Sequence, residues 1–288
     1  MSKLKILILS TLLLIQSMTQ SAIIIFDIGD TLTTTDKVKS FWHMGPLFTI
    51  KSLFHYIKSE DAKASPTFGL HIQNFYLDTL DQIPSPYNDV DYQINGLNER
   101  KHPPLLRDAM LGKLDCKTIL KIGDDWIYKN KNTFKNKQER KMFKKIFHLN
   151  FEPEVFIDKQ KLTPYAHILP KCYNAKDQNG NRKNKCMILS NFAKDWLPDF
   201  KQKFNETIFK YIDEQVFSCN EGYAKPAFKI YEKCFEIYKD KLKELWIFID
   251  DQKENREAFE IYCKNNNING IAVHPKDAEF LLKKHNLI

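Results

Sequence analysis

The chain has 288 residues, 43% of them hydrophobic and 28% charged, which is an ordinary balance for a globular protein of one large or two modest domains. Its formal net charge is +8, but the lysines are spread along the chain without a recognised nucleic-acid motif, so they indicate solvated helix faces and no nucleic-acid partner. The six cysteines include no CxxC pair, which argues against a thiolate metal site.

Residues 1–21 have the layout of a secretory signal peptide. Lys3 and Lys5 give a basic start, 6–15 form an apolar run, and 16–21 are polar with several small residues. The apolar run is shorter than the roughly 20 residues that span a bilayer, so we expect no stable membrane span in the mature chain. The pattern predicts export, to the periplasm or the medium. The alternative is a buried first element in a cytoplasmic protein.

Five short apolar runs follow and predict strands. In chain order they are Ala22–Phe26, Cys186–Leu189, Val216–Phe217, Leu245–Ile249 and Gly270–Val273. Continuous apolar runs are typical of strands buried on both faces of a parallel sheet. Helical patterns separate the later runs, including one opened by Pro226. The alternation predicts an α/β fold, a three-layer Rossmann-like parallel sheet with helices on both faces.

Residues 35–164 break this alternation. The segment is rich in aromatic residues, lysine and proline, with several helical stretches and few strand signals. We predict a mostly α-helical insertion over 35–164 in a core formed by 22–34 and 165–288. Within it, the sequence 41–45 (FWHMG) could contribute to a pocket, although these residues are more typical of the insertion's own core.

Polar residues follow four of the predicted strands. Asp27 follows the first, Ser190-Asn191 the second and Asp250-Asp251 the fourth, while Lys225 comes after the third at the start of a helix. Ligands of open parallel sheets bind beyond the carboxyl ends of the strands. We therefore expect one edge of the sheet to carry a nucleophile, a hydroxyl donor, a fixed cation and metal-binding carboxylates. These are the groups that phosphoryl transfer uses.

Four motifs in this order resemble those of the haloacid-dehalogenase-like (HAD) superfamily. They are F-D-I-G-D-T-L at 26–32, M-I-L-S-N at 187–191, G-Y-A-K-P at 222–226 and F-I-D-D-Q-K-E-N at 248–255. The match covers about 22–34 and 165–288, and the insertion lies where that family carries a helical cap, although it is longer than usual. The resemblance implies a Mg²⁺-dependent hydrolase, a phosphatase that acts on a small phosphorylated molecule.

The resemblance also implies a role for each matching residue. Asp27 would attack phosphorus and form an aspartyl-phosphate. Ser190, Asn191 and Lys225 would hold the phosphoryl oxygens. The implied Mg²⁺ ligands are Asp27, the carbonyl of Gly29 and Asp250, with Asp30 and Asp251 in support.

One position departs from the family's phosphatase pattern, which has a second aspartate two residues after the nucleophile. Gly29 stands there and Asp30 comes one residue later. That aspartate is the general acid, which is typically worth about 10²–10⁴-fold. Asp30 could replace it, or the substrate could have a good leaving group. A metal-independent 2-haloacid dehalogenase and a catalytically inactive binding or effector protein are the alternatives.

Overall fold

The computed structural model describes residues 21–57, 67–87 and 102–288. The predicted signal peptide lies outside the described residues except for Ser21. The strands are β1 Ala22–Phe26, β2 Thr33–Thr35, β3 Gln160–Leu162, β4 Lys185–Ser190, β5 Glu214–Phe217, β6 Leu245–Ile249 and β7 Gly270–Val273. The α-helices are α1 Lys37–Met44, α2 Pro46–Ile57, α3 Phe68–Leu80, α4 Pro104–Met110, α5 Cys116–Lys129, α6 Lys137–Phe151, α7 Pro153–Asp158, α8 Ile168–Asn174, α9 Leu197–Phe204, α10 Ser218–Glu221, α11 Phe228–Ile237, α12 Lys253–Asn265 and α13 Pro275–Lys284.

The main sheet has five parallel strands in the order β5-β4-β1-β6-β7. β1 lies at its centre, and every residue of β1 and β6 is buried. Two hydrophobic clusters cover the two faces, one containing Ile24 and Phe26 and the other Ile23 and Ile25. The alternation of β1 between the clusters follows from the two-residue period of a strand. The predicted α/β class and all five predicted strands are confirmed.

A second sheet of two antiparallel strands was not predicted. β2 pairs with β3, with Thr33 opposite Leu162 and Thr35 opposite Gln160. Each strand has three residues and little apolar content, so neither produces a hydrophobic pattern. Another detail was wrong, because α11 begins at Phe228 and not at Pro226. The pair β2–β3 brings the two ends of the segment 36–159 together beside the loop that follows β1.

Between β2 and β3 the regular structure of the described residues is helical, from α1 to α7, with turns and loops between the helices. The segment's buried aromatic residues, such as Phe143 and Phe147, belong to the same hydrophobic cluster as Phe26 of the central strand. Polar contacts also join it to the core. Lys203 Nζ donates to the carbonyls of Ile157 (2.7 Å), Asp158 (2.9 Å) and Gln160 (2.7 Å). A division into separate core and insertion domains stays a prediction.

Among the described helices, none combines the length and the apolar character that crossing a bilayer requires. The six cysteines are all buried thiols, and none forms a disulfide bond.

Candidate active site

The four sequence motifs meet at the carboxyl edge of the main sheet. β1, β4 and β6 are neighbours and run in parallel, so the residues that follow them lie side by side. Asp27 follows β1, Ser190 ends β4 and Asp250 follows β6. Lys225 reaches the same place from the loop between α10 and α11, and all four side chains are buried. The structure thus brings these sequence-predicted residues together.

Asp27 has two oxygens in different surroundings. Its Oδ1 accepts hydrogen bonds from Lys225 Nζ at 2.6 Å and from Ser190 Oγ at 2.9 Å. Its Oδ2 receives no hydrogen bond from the described residues. The backbone N–H donates to the carbonyl of Ile249 at 2.9 Å, which continues the pairing of β1 with β6 beyond the strand. One oxygen is therefore held in place while the other is available for reaction.

Lys225 joins two carboxylates. Its Nζ lies 2.6 Å from Asp27 Oδ1 and 2.7 Å from Asp250 Oδ2, and only 2% of the side chain is exposed. Asn191 fixes the backbone that carries it, because Asn191 Oδ1 accepts from the Lys225 N–H at 2.8 Å and Asn191 Nδ2 donates to the Lys225 carbonyl at 2.9 Å. The Asn191 side chain thus positions the lysine, a role that the motif did not reveal.

Asp250 and Asp251 are adjacent in sequence but differ in their contacts. Both Asp250 oxygens are hydrogen-bonded, to Lys225, to Asn255 Nδ2 (3.1 and 3.2 Å) and to the Gln252 N–H (2.8 Å). Asp251 is partly exposed, and its buried Oδ1 has no hydrogen-bond partner among the described residues. The Asp251 carboxylate therefore has a free oxygen, whereas the Asp250 carboxylate is fully engaged.

Negative charge exceeds positive charge in this cluster. Oxygens of Asp27, Asp250 and Asp251 lie within 4.8 Å of one another, and one lysine contacts two of the three carboxylates. Burial raises the pKa of Asp27 to about 6, with Lys225 opposing and Asp250 adding to the rise. Burial and the charges of Asp250 and Asp27 raise the pKa of Asp251 to about 7. Burial lowers the pKa of Lys225, but Asp250 and Asp27 outweigh it and the net shift is upward.

The loop after β1 leaves open space beside the nucleophile. Gly29 does not have a positive φ, and a Cβ built on it would meet only Asp27 Oδ2, at 3.9 Å. Asp30 lies in the left-handed region with φ 50°, and its Oδ1 accepts from Thr34 Oγ1 at 2.5 Å. One Asp30 oxygen is therefore engaged within the loop, and Gly29 places no side chain next to Asp27 Oδ2.

Sequence reasoning missed a second positioning residue. Arg256 Nη1 donates to the carbonyls of Asp250 and Asp251, at 2.7 Å each, and so fixes the backbone of the carboxylate pair. Arg256 comes one residue after the fourth motif, on α12. Its spacing from Asp250 would place it in the first turn of a helix, but a sequence does not show which carbonyls a long side chain reaches.

A cavity of about 360 Å³ adjoins the site. α3 and α4 contribute Asp78 and Met110, the segment before α4 contributes His102, and the β6 loop contributes Gln252, whose N–H donates to Asp250 Oδ1. Ser218, directly after β5, donates to the Met110 carbonyl at 2.6 Å. The cavity therefore lies over the carboxyl edge of the sheet, between the helical segment and the core.

No protein-family model and no curated protein matches the chain. Among solved structures, it is similar to a HAD family enzyme from Bacteroides thetaiotaomicron in complex with magnesium and inorganic phosphate (11% identity, 88% of this chain and 93% of that one, TM-score 0.48). It is also similar to a predicted HAD-like family hydrolase from Porphyromonas gingivalis (13% identity, 90% and 91%, TM-score 0.46). A third is the L-2-haloacid dehalogenase from Xanthobacter autotrophicus with chloropropionic acid covalently bound (14% identity, 85% and 75%, TM-score 0.41). The parallel five-stranded sheet and the meeting of the four motifs at its carboxyl edge are features of this chain's own structure.

Proposed function

We propose that this chain is a Mg²⁺-dependent hydrolase, a phosphatase that acts on a small phosphorylated molecule through Asp27. The observation that carries the proposal is the group of three carboxylates within 4.8 Å, of which Lys225 contacts only Asp27 and Asp250, with Asp27 Oδ2 and Asp251 Oδ1 left without a hydrogen-bond partner among the described residues. A surplus of buried negative charge is costly unless a cation balances it.

The contacts support one role for each residue. Asp27 Oδ2, which is free of hydrogen bonds, attacks phosphorus as the bond from phosphorus to the leaving oxygen breaks. The leaving group departs with the electron pair and takes a proton from solvent. Water then attacks the aspartyl-phosphate, releases phosphate and restores Asp27. Lys225 and Ser190, which hold Oδ1, are placed to donate to phosphoryl oxygens as negative charge builds on them.

The oxygens of the cluster fit Mg²⁺, a hard cation that prefers oxygen ligands. We propose as its protein ligands Asp251, the Gly29 carbonyl and Asp27, the last through Oδ1 once Lys225 and Ser190 donate to the phosphoryl oxygens instead. This revises the expectation from sequence, which named Asp250 as the ligand and Asp251 as its support. The Asp250 oxygens are engaged by Lys225 and Asn255, so Asp250 positions the lysine instead. The bound ion would reduce the repulsion between the Asp27 carboxylate and a phosphate dianion.

The space at Gly29 supports a substrate with a good leaving group. Position 29 has no carboxyl side chain and Asp30 Oδ1 is bonded to Thr34, so neither residue places an acid beside Asp27 Oδ2 to protonate a departing oxygen. Acyl phosphates, sugar 1-phosphates and aryl phosphates need that proton least. The cavity lined by Asp78, His102 and Gln252 is where the leaving group would lie. Its volume of about 360 Å³ suits a small metabolite.

Hydrolysis of p-nitrophenyl phosphate by the purified chain tests the proposal. We expect activity with Mg²⁺, no activity with EDTA, and at least a thousandfold loss in Asp27→Asn. Asp125→Asn is the matched control, because Asp125 is an exposed residue of α5 away from the site. A folded protein that is inactive with Mg²⁺ on this good leaving group would refute the phosphatase.

A second candidate, the 2-haloacid dehalogenase, is favoured by the absence of an acid at Gly29. Its chemistry also uses an aspartate nucleophile but needs no metal. Chloride release from 2-chloropropionate in the presence of EDTA would support the dehalogenase over the phosphatase. Export from the cytoplasm also stays a proposal, and cell fractionation with N-terminal sequencing of the mature chain would test it.

A further inference from the structure

A second cavity lies wholly within the helical segment. It has a volume of about 640 Å³ and is formed by the end of α1, by α2, by one face of α6 and by α7. α6 contributes Lys141, Lys145 and Leu149, which are spaced four residues apart and so share one helix face. The cavity has no lining residue in common with the Asp27 site or with the cavity beside it. Its volume lies within the roughly 300–1,000 Å³ of small-molecule sites.

The charges around this cavity are only partly balanced. Lys144 pairs with Asp124 at 2.9 Å, and His148 bonds to Asp124 at 3.0 Å and to Glu152 at 2.6 Å. Lys141 and Lys145 have no carboxylate partner among the described residues. Two ammonium groups on one wall are therefore left without a counter-charge.

Lys145 is held in place without being neutralised. Its Nζ donates to the Met44 carbonyl at 2.7 Å and lies 4.7 Å from the centre of the Phe48 ring. A carbonyl and a ring face both attract a cation, but neither removes its charge. The ammonium group thus stands beside Phe48 with donor capacity left for an anion.

The remaining lining is apolar. Phe48, Leu149 and Val155 form a hydrophobic wall beside the lysines. His43, from the sequence that was singled out as a possible pocket contributor, closes one end and is oriented by Asp158, with Nε2 and Oδ2 3.0 Å apart. An apolar wall with fixed cations at its side is complementary to a molecule that has an apolar body and one acidic group.

We propose that this cavity binds a small organic anion with an apolar or aromatic body, separately from the substrate of the Asp27 site. The acidic group lies between Lys141 and Lys145, and the body packs on Phe48, Leu149 and Val155. The shared chemistry is that of an aryl or alkyl carboxylate or phosphate monoester. This site is independent of the proposed hydrolase function.

Calorimetric titration of the full chain with 2-naphthoate tests the proposal, with uncharged 2-naphthalenemethanol as the matched probe. We expect 2-naphthoate to bind at least tenfold more tightly than the alcohol. Lys141→Gln should remove about tenfold of that affinity and leave alcohol binding unchanged. Lys121→Gln, an exposed lysine of α5 outside the cavity, should have no effect. Lys141 is exposed and makes no described contact, so its replacement leaves the fold intact.

Two further variants separate this site from the active site. Val155→Trp fills the cavity and should abolish 2-naphthoate binding, whereas Asp27→Asn should not weaken it. An aryl phosphate such as 2-naphthyl phosphate, titrated into Asp27→Asn, distinguishes a phosphate preference from a carboxylate preference. Equal affinity of the carboxylate and the alcohol, or affinity unchanged in both Lys141→Gln and Val155→Trp, would overturn the proposal.

Discussion

The carboxyl edge of the sheet and the helical segment differ in the burial and the ion pairing of their lysine side chains. At the edge, Lys225 lies 2.6 Å from Asp27 and 2.7 Å from Asp250, and all three are buried. In the helical segment, Lys141 and Lys145 line a cavity without a carboxylate partner among the described residues. Fixed, desolvated charges can act on a reacting group without reorganising, which suits catalysis. The exposed lysines at the wall of the cavity remain hydrated, so they carry little desolvation cost. They can still favour an anionic ligand.

The two regions nevertheless share one hydrophobic cluster, and we expect a substitution in that cluster to have the largest effect, which is on stability. Phe147 of α6 is fully buried, 4.9 Å from Phe151 between ring centres, in the cluster that also contains Phe26. Phe147→Ala should destabilise the protein by about 3–5 kcal/mol because it leaves a cavity. By calorimetry we expect a single unfolding transition whose midpoint temperature is lowered in Phe147→Ala. Phe280→Ala, at an exposed position, is the control. Two separate transitions would show that the regions fold independently.

The second-largest effect concerns Asp250 and Asp251, which differ in their hydrogen bonds. Asp251→Asn should weaken Mg²⁺ binding by about a hundredfold or more, because it removes a proposed ligand. Asp250→Asn should largely retain Mg²⁺ binding and lose activity through Lys225, which loses one of its two carboxylate partners. Calorimetric titration with Mg²⁺ measures both variants. Mg²⁺ binding that is lost in Asp250→Asn and retained in Asp251→Asn would identify Asp250 as the ligand.

A buried lysine of the helical segment predicts a dependence of stability on pH. Burial lowers the pKa of Lys159 from 10.5 to about 8, and its Nζ has Asn150 Oδ1 as a neutral partner at 3.1 Å. Below pH 8 the lysine is charged in both states and its burial cost is fully present. Between about pH 8 and 10.5 the folded state releases the proton first, so this group raises stability with pH, by about 3 kcal/mol in total.

Urea unfolding at pH 7 and pH 10 measures this contribution. The rise should be smaller in Lys159→Met than in the unmodified chain. Lys161→Met is the matched control, because Lys161 is exposed and, within the described part of the chain, forms an ion pair only with Asp36, at 3.5 Å. An identical rise in all three proteins would show that Lys159 is not the source.

The smallest effect concerns the open position beside the nucleophile. Gly29→Asp places a carboxyl group next to Asp27 Oδ2, where a Cβ meets no other atom within 4 Å. We expect about a tenfold gain in the hydrolysis of an alkyl phosphate, which needs a proton donor, and little change with p-nitrophenyl phosphate. Gly29→Asn has the same shape without the acid and should give no gain. A gain in both variants would attribute the effect to shape rather than to proton transfer.

The five strands of the main sheet, and the residues that meet at its edge, could be predicted from the amino-acid sequence alone. Continuous apolar runs specify strands buried on both faces, and parallel pairing places Asp27, Ser190 and Asp250 side by side whatever the rest of the chain does. The short β2 and β3 escaped prediction because three-residue strands with few apolar side chains carry no periodic signal.

Which of the two adjacent carboxylates has a free oxygen depends on how the chain packs. Asp250 and Asp251 are identical in type and adjacent in sequence, but consecutive residues after a strand point to different sides, and only Asp250 meets Lys225 and Asn255. The second cavity likewise depends on how α1, α2, α6 and α7 pack, with His43 and Lys141 98 positions apart in the sequence. Contacts between distant residues and the direction of a side chain are consequences of packing, and no local pattern encodes them.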